Sequence, residues 1–357
     1  MLSGIRVLDI SRLLPGPAAT WFLAAHGALV DRVETPKGDL TRHLPPFVEG
    51  MGAYFSAVSW GKRSLCLDFH HPQIATCLKQ ILGSYDVFVE GFRPLVLESI
   101  GLEPEELLRL HPSLIIVRLS GYGQKGGYSQ RVGHDINYIA EVGILGGQKV
   151  DEQGHALPSV QIADMAGAMQ ACMQIAMALF AREKTGKGRV LDISLTESAL
   201  AMYAPMLTGL MALGRAAKEG GELLSGGASW YGTYRCSDDR YVAVGAVEKK
   251  FQDALKQRAG GLHREALNSM FASNTQDFWV EYFEGACVSA VRVGTEIQNS
   301  PWLISQQLRQ GNQFRAPGGV FLSEPPSLGA HNTEILLEAG VSNEQIAEWK
   351  EMGLLCS

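Results

Sequence analysis

What most constrains the fold of this chain is an alternation in its first 120 residues, where short, nearly continuous apolar runs are separated by helix-forming stretches. Ile5–Ile10, Ala28–Glu34, Ser64–Phe69, Asp86–Glu90 and Leu114–Leu119 read as strands. Pro15-Gly16-Pro17 breaks the chain, and Ala18–His26 is helical in composition. Pro72–Leu82 and Pro104–Leu110 read as helices, each opened by a proline suited to a first helical turn. Strands apolar on both faces are buried on both faces, and strands joined through helices run parallel. The expected fold is therefore α/β, an open parallel sheet with helices on both faces.

Further along, Asp164–Glu183 reads as one long helix that Thr185-Gly-Lys-Gly188 ends. Arg189–Ser194 reads as another strand and Glu197–Leu213 as an apolar helix. Composition changes after the glycine-rich stretch 214–227, where Tyr231–Cys236 and Tyr241–Val247 are spaced to pair as a hairpin around Ser237-Asp-Asp239. A chain of 357 residues is long enough for two cores. The expected division is a large domain over 1–190 with a helical C-terminal return over 325–357. A linker helix and loop cover 191–227, a smaller α+β domain 228–310, and a return linker 311–324.

Net charge is −6, so no basic field is available to hold nucleic acid or an anionic membrane surface. No uninterrupted apolar stretch reaches the ~18 residues of a membrane span. The N-terminus lacks the pattern of a secretory signal, which makes the cytoplasm the expected compartment. Six scattered cysteines show no CxxC pair and no metal-ligand spacing, and they read as free thiols in a reducing compartment. No metal site is expected, and adjacent His70 and His71 would diverge on any one element. Gly121-Tyr-Gly-Gln-Lys-Gly126 fits GxGxxG, but no helix opens on it and no acidic strand end follows at the spacing a dinucleotide site needs. GxSxG, HExxH and GxxxxGK[ST] are absent. Met165, Met169, Met173 and Met177 recur every four residues, a pattern for core or dimer packing or for an adaptable acyl channel.

Three segments carry a resemblance: Leu119-Ser-Gly-Tyr-Gly-Gln124 running on to Gly133-His-Asp-Ile-Asn-Tyr138, then Ala163-Asp164 opening a helix that ends at Arg182-Glu-Lys-Thr-Gly-Lys-Gly188, then Gly226-Gly-Ala228 leading to Gly245-Ala-Val-Glu248. Pro15-Gly-Pro17, Gly61-Lys-Arg-Ser-Leu65 and Glu90-Gly-Phe-Arg-Pro94 support it. Together they resemble the family III CoA-transferase and racemase group, and within it the α-methylacyl-CoA racemases. The resemblance implies an interlocked homodimer, with sites between the large domain of one subunit and the small domain of the other. It implies an acyl-CoA substrate and no separate cofactor.

Each implied catalytic residue also has a plainer reading. His134 at a helix start is a capping or surface histidine, or it is the base that meets an α-proton. In the second case the backbone N–H of Asp135 is the oxyanion donor, because the first turn of a helix leaves its N–H groups free. Asp164 is an N-cap, or the shared catalytic carboxylate of the group, held charged by the helix dipole. Glu248 marks a strand end, or it fixes the tautomer of His134. For CoA itself, the resemblance points to Arg93, Lys62, Arg63 and Tyr138. Thr35 stands where the racemases often carry an arginine, with Lys37 two residues on. A CoA-transferase that uses Asp164 as nucleophile remains the alternative, although the glutamine and glutamine-ended glycine loop of formyl-CoA-type transferases are missing near Leu14 and Gly226. A non-catalytic acyl-CoA-binding paralogue is the second alternative.

Overall fold

The computed structural model describes residues 1–356 and divides them into two units. The first holds Met1–Val142, Val160–Tyr203 and the chain from Gln307 on. Its sheet consists of β1 (Arg6–Asp9), β2 (Leu29–Glu34), β3 (Lys62–Cys66), β4 (Val87–Glu90), β5 (Ile115–Ser120) and β6 (Arg189–Ser194). All pair in parallel, in the order β6-β5-β4-β1-β2-β3. Helices α1 (Pro15–Ala25), α2 (Ile74–Ile81), α3 (Pro104–Leu110), α4 (Asp135–Glu141) and α5 (Ile162–Thr185) belong to this unit, and α6 (Leu195–Leu213) begins in it.

Alternation along each strand sends apolar side chains to both faces, as a doubly covered sheet requires. Val7, Val30, Val87, Val89, Ile115 and Val117 join a core with Ala18, Ala19 and Leu23 of α1 and Ala168, Ala171 and Ile175 of α5. Leu8, Val33, Leu65, Phe88 and Ile116 join the other, with Leu78 and Ile81 of α2 and Leu107 of α3. Small residues bring α1 and α5 close enough for the Cys172 thiol to donate to the Ala19 carbonyl at 3.1 Å.

Several details differ from the sequence expectation. Pro15 does not break the chain; it opens α1, where its missing N–H costs nothing. The third strand starts at Lys62, earlier than Ser64, because both of its leading charges have buried or half-buried partners and need no water. Cys66 and Cys356 are joined as a disulfide, so they are not free thiols. α5 has the length and apolarity of a membrane span, yet its alanine face lies in the core of this unit. Its methionine face is open: Met169, Met173 and Met177 are 56%, 51% and 54% exposed, which rules out core packing for them.

The second unit comprises Gly143–Ser159 and Ala204–Gln306. From sequence its first segment belongs with the large domain and 204–227 with a linker; the structure groups both with the second unit. Its antiparallel sheet runs β7 (Tyr231–Arg235), β8 (Tyr241–Gly245), β9 (Val288–Ala290), with α7 (Lys249–Ala259), α8 (Arg264–Phe271) and α9 (Gln276–Tyr282). Tyr234, Val242, Leu255, Leu267, Phe271 and Trp279 fill its core.

Candidate active site

The strand order creates the site. From β1 the chain winds one way through β2 and β3, and from β4 it winds the other way through β5 and β6. The loops leaving β1 and β4 therefore diverge, and the crevice at the carboxyl ends of such strands is where open α/β sheets bind ligands. A cavity of about 600 Å³ lies there, lined by Ser11 and Arg12 after β1, Arg93 after β4, Ser120 at the end of β5, and Arg131, His134, Tyr138 and Asp164. A neighbouring cavity of about 750 Å³ lies over β1 and β2, lined by Thr35, Lys37, Gly38 and His43. Ser11, Arg12, Leu13, Phe92 and Arg93 border both.

His134 is exposed in the cavity at the N-cap of α4. Its carbonyl accepts from the Asn137 and Tyr138 amides, and Asn137 Oδ1 accepts from the His134 N–H at 3.0 Å. Asp135 is the first residue of the helix, and among the described residues no acceptor meets its N–H. The first turn of the helix thus leaves a free donor next in sequence to His134. Tyr138 anchors the turn by donating to the Gly133 carbonyl. Only glycine fits at two places around its ring: a Cβ on Gly121 would lie 2.5 Å from the hydroxyl oxygen, and one on Gly133 2.8 Å from a ring carbon. Burial, then the neighbouring Asp164 charge, pushes the Tyr138 hydroxyl up to about 12, so it stays a neutral donor.

Asp164 is not the N-cap of its helix. α5 starts at Ile162, with Gln161 in the cap position, and Asp135 supplies the capping carboxylate from outside. Nor does the helix dipole win. Burial, followed by the charge of Asp135, pushes the Asp164 carboxyl up to about 7. A base poised near neutrality can both accept and return a proton.

The other residues singled out in the sequence separate into two groups. Arg93 is exposed where the two cavities meet, and Lys37 is exposed at the rim of the second, so both are open to a ligand. Arg93 sits on a braced loop. Arg118 of β5 bonds Glu90 at 2.8 Å and forks onto Glu98 at 2.7 and 3.1 Å, while Glu90 accepts from the Phe92 N–H at 2.7 Å. Lys62 and Arg63, in contrast, are not available to a phosphate. The Lys62 ammonium is fully buried and donates to the Pro17 carbonyl at 2.8 Å and the Thr20 hydroxyl at 2.6 Å, with Asp9 at 3.4 Å. Burial pulls its pKa down to about 7, against the opposing pull of Asp9. Asp9 also receives the Ser11 N–H at 3.0 Å, so Lys62 braces the β1 loop from below. Arg63 is held by Asp31 at 2.7 Å, Glu334 at 2.8 Å and Glu338 at 2.9 Å. Glu248 lies in the second unit, exposed, at the N-cap of α7.

Three contributors escaped the sequence reading: Arg12, Arg131 and Asp39. Arg131 stacks on the Tyr128 ring at 3.6 Å beside the cavity. The Asp39 carboxylate ties the two strand-end loops together, accepting from the Leu13 N–H at 2.9 Å and from Arg32 at 2.6 Å. No motif marks these residues, but the places of Arg12 after β1, Asp39 after β2 and Arg131 after β5, all at strand carboxyl ends, would have, had the strand order been known. Among the described residues no cluster of His, Cys, Asp or Glu could hold a metal ion.

The chain is 34% identical to the α-methylacyl-CoA racemase of Homo sapiens, with 97% of this chain and 95% of that protein aligned. It is 33% identical to the succinyl-CoA:glutarate CoA-transferase of Homo sapiens, over 94% and 85% of the two chains. The crystal structure of a CAIB/BAIF family protein from Brucella suis superposes with a TM-score of 0.82 at 25% identity, covering 95% of this chain and 99% of that one. The sequence profile of CoA-transferase family III matches residues 2–317, and the chain is an enzyme of that family.

Proposed function

We propose that the chain epimerises 2-methylacyl-CoA thioesters, with His134 and Asp164 as bases on opposite faces of the α-carbon. The observation that carries this reading is that both side chains line one cavity, with Asp164 near neutral pKa and an unpartnered N–H at Asp135 between them in sequence. One base takes the α-proton, and the electron pair moves onto the thioester oxygen. The Asp135 N–H stabilises that oxygen, a donor typically worth roughly 3–4 kcal/mol. The other base then returns a proton from the opposite face, inverting the centre. The thioester is its own electron sink, so the chemistry calls for no redox cofactor.

Arg93 and Lys37 are assigned to CoA phosphates and Tyr138 to shaping the thioester end. Glu248 is assigned to orienting the His134 ring within a homodimer. The open row of Met169, Met173 and Met177 supports such an assembly, since an apolar helix face of this kind is covered by protein more often than by water.

The test is incubation of one epimer of a 2-methylacyl-CoA in D₂O without added acid. Deuterium should enter the α-carbon and both epimers should appear in near-equal amounts. Family III also contains transferases, in which the aspartate attacks the thioester. Acid-dependent CoA exchange without α-deuteration, or hydroxylamine trapping of a hydroxamate at Asp164, would replace the racemase reading with that one.

A further inference from the structure

We infer that the Asp135 side chain is a positioning residue for Asp164, locking the helix that carries it to the turn that carries His134 and setting the charge Asp164 meets. The inference rests on the proposed role of Asp164 but extends to either reaction of the family, since both use that carboxylate.

Asp135 belongs to α4, immediately after His134, yet its carboxylate bonds another element. Oδ1 accepts from the Ala163 N–H at 2.6 Å and from the Asp164 N–H at 3.1 Å, 28 and 29 residues away. These are amides of the first turn of α5, which have no partner inside the helix. Gln161, in the cap position, supplies no side-chain bond of its own. One side chain thus does two things: its carboxylate closes the α5 turn, and its charge lies beside Asp164. Because one side chain spans both turns, two hydrogen bonds tie the turn that carries His134 to the turn that carries Asp164.

The charge works in the same direction as burial. An ionised carboxylate beside Asp164 disfavours a second ionisation, and the two together account for the upward displacement of Asp164. The other charged or titratable groups around this cavity are Arg12 from the β1 loop, Arg93 from the β4 loop, Arg131 and His134 ahead of α4, and Tyr138 within it. Of the charged groups, Asp135 is the one whose charge adds to burial in displacing Asp164 upward.

Two variants separate the charge from the cap. Asp135→Asn keeps an acceptor for the two amides and removes the charge; Asp135→Ala removes both. With ¹³C-labelled aspartate, the Asp164 carboxyl should titrate lower in Asp135→Asn than in the parent protein, by about half a unit or more. The acid limb of the kcat profile, where activity rises with pH as Asp164 ionises, should move down by the same amount. Asp135→Ala should lose kcat by about tenfold or more with KM changed little, and Asp135→Asn should recover most of that loss at its own optimum, a general-base step being sensitive to placement. If the Asp164 titration is unmoved in Asp135→Asn, or Asp135→Ala retains parental kcat, the inference fails. If the titration moves but no α-deuteration occurs in the parent protein, the racemase proposal fails and this inference stands.

Discussion

Asp164 shows which of two opposed effects governs a carboxyl at a helix start. The dipole of a helix terminus favours the anion by typically 0.3–1 kcal/mol. Burial and the Asp135 charge together carry the group from its ordinary 3.8 to about 7, which is several times larger in free energy. The folded protein then binds the proton more tightly than the unfolded chain does. Stability from this group is fully present below about pH 4 and is lost as pH rises through 7. Asp164→Asn should therefore be more stable than the parent protein at pH 8, with the difference shrinking towards pH 4. Urea denaturation at the two pH values checks this, and a stability gain that is equal at both would contradict it. His134 and Asp164 stand out in the sequence because their motif surroundings are distinctive, and the structure brings both to one cavity. Lys62 and Arg63 read as phosphate contacts because a charged pair before an apolar run gives no sign of its partners: Asp31 lies directly across from Arg63, and the Lys62 side chain reaches Asp9 two strands away.

At the scale of elements, most strands and helices were visible as alternating apolar periods, and the bounds shifted by only a few residues. Strand order was not visible, because it depends on which way each crossover turns. The division between units was only partly visible, because the segment around Val150–Asp151 and Gly154–His155 is separated in sequence from the rest of its unit. The contact of α5 with α6 gives a test of element packing. A Cβ on Gly167 would lie 2.2 Å from a terminal methyl of Leu195, the residue that opens α6 and lines the cavity. Alanine in a helix interior gains roughly 0.5–1 kcal/mol over glycine, whereas overpacking a filled core costs about 1–3 kcal/mol. The second effect should prevail. Gly167→Ala should melt at lower temperature and raise KM for acyl-CoA as Leu195 is displaced towards the cavity. A higher melting temperature with unchanged KM would mean that Leu195 rotates away freely.

Taken as a whole, the sheet of the first unit has two edges, β6 and β3, and the C-terminal segment covers the β3 edge. β3 ends the sheet, and an edge strand with open N–H and C=O groups invites pairing with another chain. Here His331 Nδ1 accepts from the Ser64 N–H at 3.2 Å, and the His331 N–H returns to the Ser64 carbonyl at 3.0 Å. Asn332 Oδ1 accepts from the Cys66 N–H at 2.8 Å, and its amide donates to the Cys356 carbonyl at 2.8 Å. Leu67 and Leu355 form a bridge, Arg63 grips Glu334 and Glu338, and the Cys66–Cys356 disulfide closes the arrangement across 290 residues. A cross-link over even a 100-residue loop is worth up to about 4.7 kcal/mol in the chain-entropy account. The polar pairings do not depend on it. Reduction should therefore lower the urea midpoint without unfolding the protein, and the Cys66→Ser, Cys356→Ser double variant should match the reduced protein. Thiol titration in denaturant should give four reactive groups without reductant, out of six cysteines. Six reactive groups without reductant, together with a midpoint that reductant does not move, would show that the tail is held by its hydrogen bonds and ion pairs alone.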